Sequence, residues 1–274
     1  MGLGLRYRLR LLRLGFLDAA DLLTRRRRPL TPSRLQVHSI GGFDFHEIGN
    51  HLATIARDAG GLQPHERLLD AGCGYGRLAV PLTRFLTTGE YAGFDLNRAA
   101  IRWCRRAISR RHPNFWFAHA DVANTHYNPR GRWSPEEFPF PCADASVDVA
   151  FAASLFTHLL PAPAAHYVAE LGRVLKPGGR AVVSFFLFDP ATRARLLDPR
   201  VHPTFAHFPD PSYAVANPND PEAAIAYDET AVRAFFTAAG MEVVEIHRGG
   251  WSIHPDPLSY QDFVVARKAR TFSA

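Results

Sequence analysis

The chain has 274 residues, 47% of them apolar and 21% charged, with a formal net charge of +6. That is enough apolar material for a substantial core, and one enzyme-sized domain with appendages is the simplest count. Three cysteines, Cys73, Cys104 and Cys142, form no C-x-x-C pair, which argues against a disulfide framework or a structural zinc site and makes a reducing cytoplasm the expected location.

The basic surplus lies at the start. Residues 1–34 hold nine arginines against Asp18 and Asp21, a local charge of +7, so the remainder is close to −1. A nearly neutral body excludes an extended phosphate-binding face, and no nucleic-acid partner is expected. The run Leu3 to Leu17 carries leucines at helical spacing with Arg6, Arg10 and Arg13 along another face. Such an arm could lie on an anionic membrane surface, at the inner surface for a cytoplasmic protein; the favoured alternative is a helix that docks on the body or a partner, or frays in solution. The arginines interrupt the apolar run, so neither a transmembrane span nor an ordinary signal peptide is expected.

Residues 35–61 read as a cap region. A helix is expected from about Asp44, with Ile48, Leu52, Ile55, Ala56 and Ala59 on one face and Gly60-Gly61 as its stop. Next, Leu68-Leu69-Asp70-Ala71-Gly72-Cys73-Gly74-Tyr75-Gly76-Arg77 is an apolar strand ending in an acid, followed by three alternate glycines. Glycine tolerates positive φ and allows close approach of a ligand to the backbone, so a tight turn under a flat ligand is expected, with a helix starting near Arg77. The dinucleotide fingerprint G-x-G-x-x-G needs its third glycine where Arg77 stands. A carboxylate beside the turn favours a positively charged nucleoside over a diphosphate.

Further strands follow. Tyr91 to Asp95 reads as a second strand ending in an acid, and Phe115 to His119, with Asp121 just beyond, as a third. A helix runs from the cap Asn97 through Arg111. Strand four covers Ser146 to Ala152, and the helix Pro161 to Leu175 leads through Lys176-Pro177-Gly178-Gly179 to strand five, Arg180 to Phe188. Alternating strands and helices predict a parallel sheet. After the helix Asp228 to Ala239, strands Met241–His247 and Tyr260–Arg267 are joined by too short a link for a crossover and should run antiparallel.

Taken together, Asp70-x-Gly72-x-Gly74-x-Gly76 and the two later strand-end acids resemble the class I S-adenosylmethionine (SAM)-dependent methyltransferases, over roughly Leu62 to Lys268. The resemblance implies an α/β, Rossmann-like seven-stranded sheet of order 3-2-1-4-5-7-6, strand seven antiparallel, with helices on both faces. It implies SAM as cofactor, held by Asp70, Gly72, Gly74, Gly76, Arg77, Leu96, Val122 and Ser154. Asp95 takes the ribose hydroxyls in that scheme, and Asp121 faces the adenine amino group. The wider pattern, including Tyr127-Asn128-Pro129 and Phe156-Thr157-His158-Leu159, is similar to a bacterial small-molecule subgroup.

Chemistry is expected outside the strand ends, between strands one and four. His158, just past strand four, is the candidate general base or substrate orienter, with helix capping the competing role. The cap region offers Phe43, His46 and His51, the insertion after strand three offers Tyr127, and the long segment 189–227 reads as a lid offering His207 and Tyr213. Trp251 sits in the last link. These are the candidate acceptor-lining residues. A solvated crossover is the alternative for 189–227.

After strand four Ser154 is followed by Leu155, not by the Pro-Pro-aromatic run of amino-methylating nucleic-acid enzymes, and no glutamate pair occurs there. The expectation is therefore an O-methyltransferase acting on a hydroxyl or carboxyl of a small organic or saccharide acceptor. No metal site is expected. A nucleotide-dependent oxidoreductase and a noncatalytic SAM-fold interaction protein are the alternative readings.

Overall fold

A computed structural model describes residues 2–24, 29–37, 44–124, 128–198 and 200–270. The chain opens with helices α1 (Gly2–Leu23), α2 (Arg34–Val37) and α3 (Phe45–Asp58), then alternates through β1 (Arg67–Ala71), α4 (Ala79–Leu82), β2 (Glu90–Asp95), α5 (Arg98–Cys104), β3 (Phe115–His119), β4 (Val147–Ala152), α6 (Pro161–Val174) and β5 (Leu175–Phe185). It continues with the short strands β6 (Leu187–Phe188), β7 (His207–Asp210), β8 (Tyr213–Val215) and β9 (Ile225–Asp228), then α7 (Glu229–Ala238), β10 (Met241–His247) and β11 (Asp262–Lys268). No helix of the described residues is long and apolar enough to cross a membrane.

The main sheet has the spatial order β10-β11-β5-β4-β1-β2-β3. Its first five strands pair in parallel, and β11 is antiparallel to both β5 and β10. Numbered along this sheet alone, that is the expected 3-2-1-4-5-7-6. Side-chain alternation splits the core between two faces. Leu68, Val149 and Phe151 pack with Ile55 and Ala56 of α3, Leu78 and Ile101, whereas Leu69, Ala150 and Ala152 pack with Val168 and Leu171 of α6 and Phe236 of α7. Strands covered on both faces need no polar alternation, which is why β1 and β4 read as continuous apolar runs.

Helix starts follow local chemistry. The Asp44 carboxylate accepts from the amides of His46 and Glu47, Asn97 caps Ala99 and Ala100, and Asp228 caps Thr230. The helix expected to run unbroken to Arg111 instead changes after Cys104 into a wider π-type turn over Arg105–Ser109. The helix expected from Arg77 is short and begins at Ala79. At β5, Leu175 pairs with Val147 and Arg180 with Val149. Lys176-Pro177-Gly178-Gly179 is therefore a bulge within one strand, where Gly178 has φ +79°, and not a turn before it.

Segment 189–227 is neither an irregular loop nor a solvated crossover. With β6 it builds a second sheet of order β6-β9-β8-β7 over its own core of Phe186, Phe188, Leu196, Phe205, Ala226 and Trp251.

Candidate active site

β1 delivers Asp70 and then the glycine turn. Gly72, Gly74 and Gly76 have φ of +79°, +51° and +70°, values that cost a side-chain-bearing residue steric energy. The turn is laced to the end of β2. The amides of Gly72 and Cys73 donate to the Phe94 carbonyl at 2.9 and 3.0 Å, and the Gly74 amide donates to Asp95 Oδ2 at 2.8 Å. Asp95 Oδ1 accepts from the Asn97 amide at 2.7 Å. Burial raises the Asp95 pKa, partly offset by these two amides and by His119.

The three glycines do different work. A Cβ added at Gly74 would meet nothing within 4 Å, so that position faces open space. At Gly72 it would touch Leu155, and at Gly76 it would stand 2.8 Å from Ile108 Cδ1 and 3.3 Å from Cys104 Sγ. Gly76 is thus a packing glycine beneath the turn. It is not among the residues that line the cleft.

Above the turn lies a cleft of about 940 Å³, within the usual range for small-molecule sites. Asp70, Gly72, Gly74 and Arg77 line it from the first loop, Asp95 and Leu96 from the second, Val122 from the third, and Ser154 and His158 from beyond β4. Helix α3 covers one side with Ile48, His51 and Leu52. It can lie close because Gly49 has no side chain: an added Cβ would be 2.4 Å from the Arg77 carbonyl oxygen.

Asp70 is not the open anion at the mouth that the sequence suggested. It is 4% exposed and accepts a short hydrogen bond from the Tyr91 hydroxyl. Desolvation, with a smaller contribution from the charge of Asp95, pushes its pKa to about 7 against the Tyr91 bond. The carboxyl is poised between neutral and charged, ready to ionise when a cation comes near.

Asp121 stands at the start of the third loop, beside Val122. Its carboxylate accepts from Asn128 Nδ2 at 3.0 Å, which closes the loop after β3, and the cleft wall there is Val122, Ala123 and Asn124. Of the acceptor candidates, His46 hydrogen-bonds Thr31 at 2.6 Å and lies outside the cleft lining. His207 and Tyr213 belong to β7 and β8 of the small sheet, away from the lining. Trp251 is 2% exposed in the small core, its indole donating to Asp262 Oδ2 at 2.6 Å. Phe43 and Tyr127 fall outside the described residues.

Beyond β4 the chain turns sharply. Ser154 has φ +55°, uncommon for a residue with a side chain, and is held there by two bonds. Its amide donates to Ser184 Oγ at 2.7 Å, and its hydroxyl to Gln261 Oε1 at 3.1 Å. Ser184 Oγ donates to the same Gln261 oxygen at 2.7 Å. His158 follows on a single 3-10 turn, Phe156–His158, its Nδ1 lying 2.8 Å from the Glu222 carbonyl oxygen. A carbonyl can only accept, so Nδ1 carries the proton and the neutral ring keeps its lone pair on Nε2. The turn between β8 and β9 thus sets the tautomer of a cleft histidine.

Glu222, Gln261 and Tyr260 line the cleft but were not legible as site residues. Glu222 follows a proline in a polar loop, and Tyr260 and Gln261 read as the start of the last strand, which begins only at Asp262. Among the described residues, no group of three or more His, Cys, Asp or Glu side chains is placed to hold a metal ion.

This geometry can be set against known proteins. Residues 68–179 match the model of a methyltransferase domain family. The chain is 35% identical over 140 residues to phthiotriol/phenolphthiotriol dimycocerosates methyltransferase 1 of Mycobacterium ulcerans, covering 49% of this chain and 40% of the relative. It is 31% identical over 126 residues to a fatty-acid O-methyltransferase of Mycolicibacterium smegmatis, covering 46% and 37%. The chain thus spans about two fifths of the length of these curated relatives. Among solved structures, geranyl diphosphate C-methyltransferase from Streptomyces coelicolor, crystallised with Mg2+, geranyl diphosphate and S-adenosylhomocysteine, superposes with a TM-score of 0.55 at 16% identity, covering 88% of this chain and 90% of that one. Residues 68–179 thus match a methyltransferase domain model, and the chain has the Rossmann-like fold of a solved SAM-dependent methyltransferase.

Proposed function

We propose that the protein transfers a methyl group from SAM to a hydroxyl or carboxyl oxygen of a small, largely apolar acceptor of fatty-acid or lipid type. The observation that carries the cofactor assignment is the Gly74 amide bound to Asp95 at the floor of the cleft. Gly74 leaves room for a flat ligand directly above it. Each Asp95 oxygen accepts one backbone amide and keeps a further lone pair, which suits a pair of ribose hydroxyls. Asp70 would answer the positive charge of the methionine end. When bound, SAM supplies a methyl group already activated by a sulfonium, so displacement needs alignment and exclusion of water more than side-chain chemistry.

The acceptor assignment rests on the apolar part of the lining. Ile48, Leu52, Leu155, Leu159 and Tyr260 belong to it, an apolar surface suited to a hydrocarbon body. The relatives named for a fatty acid and for dimycocerosates are in keeping with that. His158 Nε2 is the group we assign to accept the acceptor proton as the oxygen takes the methyl group, and Ser154 and Gln261 are the polar groups available to orient the acceptor head.

The test is isothermal titration of the purified chain with S-adenosylhomocysteine and, separately, with NADH, followed by a screen of hydroxylated and carboxylated acceptors using methyl-labelled SAM. Tight binding of the first, none of the second and label in an ester or ether are expected. Binding of NADH alone would sink the reading in favour of an oxidoreductase. Binding of S-adenosylhomocysteine with label on nitrogen or carbon would overturn the acceptor class only.

A further inference from the structure

The methyl-transfer reading makes no use of α1. Among its described side chains, the outward side presents Leu9, Leu12, Phe16, Ala19 and Leu23, with Arg13 beside them, all exposed; Leu12 is at 70%, Phe16 at 74% and Leu23 at 84%. Their alternating spacing of three and four residues puts them on one stripe of the helix. The opposite side is committed to α2. Asp18 accepts from the amides of Arg34 and Leu35 at 2.9 and 3.3 Å, Asp21 pairs with the Arg34 guanidinium at 2.7 Å, and Gly15 packs on Leu35. Both acids of the first 34 residues are thus turned inward and engaged with α2.

We infer that this outer face of α1 lies in the interfacial layer of an anionic lipid bilayer. An exposed apolar stripe on a single helix calls for a partner, and charge selects which one. Residues 1–34 carry nine arginines, four of them consecutive at 25–28, while their two acids face the protein. A second copy of the chain would set one +7 segment against another and be repelled. An anionic lipid surface attracts the arginines, and its acyl boundary takes the leucines and phenylalanine. The stripe is too short and too interrupted to cross a bilayer, so the helix lies flat. For an enzyme with an apolar acceptor, this places the protein where such an acceptor dissolves, although lipid binding stands or falls independently of methyl transfer.

The experiment is co-sedimentation of the full chain with vesicles of phosphatidylcholine alone and of phosphatidylcholine with phosphatidylglycerol, at low and high salt. Binding to the phosphatidylglycerol vesicles is expected, at least tenfold weaker on the neutral vesicles and weakened by salt. The double substitution Leu12→Gln/Phe16→Gln, at exposed positions that leave the circular dichroism and S-adenosylhomocysteine affinity unchanged, should reduce vesicle binding at least tenfold. Replacement of Arg25, Arg26, Arg27 and Arg28 by glutamine should remove most of the phosphatidylglycerol preference. Equal pelleting of the parent and the Leu12→Gln/Phe16→Gln chain, or no preference for phosphatidylglycerol, would overturn the inference. So would a dimer in sedimentation velocity that the same pair of substitutions dissolves, which would make a second copy the occupant of this face.

Discussion

His158 and Glu222 are joined across 64 residues of sequence by a 2.8 Å contact from the imidazole Nδ1 to the main-chain oxygen. The bond connects the turn after β4 to the short 3-10 turn Pro221–Ala223 that precedes β9, so the segment leading into the second sheet reaches the cleft. It also fixes where the histidine proton sits, leaving Nε2 as the basic nitrogen. If His158 is the base proposed above, it is in working order only when the Pro221–Ala223 turn is in place.

Substitution at His158 should therefore separate proton transfer from binding. His158→Ala is expected to lower kcat by about a hundredfold, the ordinary contribution of a positioned base, with S-adenosylhomocysteine affinity within about twofold of the parent. His158→Gln can still donate an N–H toward Glu222 but offers no basic nitrogen. Recovery of turnover in the glutamine variant would reassign His158 as a positioning residue, and unchanged kcat in the alanine variant would remove it from the reaction.

Asp95 holds the turn through the Gly74 and Asn97 amides and, on the proposed reading, the cofactor ribose, so Asp95→Asn should disturb both. An amide has a single oxygen, so either Gly74 or Asn97 would face an N–H group instead of an acceptor. Leaving one such donor unsatisfied costs about 1–3 kcal/mol. We expect thermal unfolding to shift down accordingly and S-adenosylhomocysteine affinity, measured by calorimetry, to fall between tenfold and a hundredfold. Full affinity in this variant would exclude Asp95 from cofactor binding.

Much of this site could be read before any coordinates, for a local reason. Strand one, its terminal acid, the alternate glycines and the acid ending strand two are consecutive stretches whose spacing alone implies a strand-turn-helix. The same spacing could not tell a ligand-facing glycine from a packing one. That difference arises because Cys104 and Ile108 come up under Gly76, a contact made about thirty residues away in sequence. The partner of Asp121 was not legible either: Asn128 reaches back to bond its carboxylate and closes the loop after β3. Trp251, His207 and Tyr213 look like binding aromatics in a loop until β6 to β9 assemble. Once they do, Trp251 becomes core, and short strands in a proline-rich segment leave little periodic signal from which to foresee that sheet.

The glycine distinction is itself testable. Gly76→Ala forces both a positive φ, worth about 1–2 kcal/mol, and a methyl group against Ile108 and Cys104, where overpacking adds about 1–3 kcal/mol. Gly74→Ala incurs only the first of these. Chemical denaturation should therefore rank Gly76→Ala as clearly less stable than Gly74→Ala. Ligand titration should rank them the other way, with Gly74→Ala losing the larger share of S-adenosylhomocysteine affinity because its methyl points into the cleft. Equal stability of the two variants would contradict the packing role of Gly76.

Asp70 makes the empty protein sensitive to pH in a direction that can be derived. Its carboxyl ionises at about 7 in the folded chain against an ordinary value near 3.8, so the folded state holds a proton that the unfolded chain has lost. Stability from this group is complete below about pH 4 and declines as pH rises through 7, each unit in that interval being worth about 1.4 kcal/mol. Between pH 5 and 8 the unliganded protein should thus lose a few kcal/mol on this account. Asp95, also raised by burial, contributes in the same direction. Cofactor affinity should move oppositely, because a cationic ligand favours the carboxylate: binding tightens as pH rises through 7 and takes up less of its free energy in deprotonating Asp70. Asp70→Asn should flatten both trends, leaving a more stable empty protein at pH 8 that binds SAM at least tenfold more weakly. Thermal unfolding and calorimetry across this pH range provide the check. An affinity that falls with rising pH, or an asparagine variant no more stable at pH 8 than the parent, would show that the buried carboxyl beneath Tyr91 does not hold the proton.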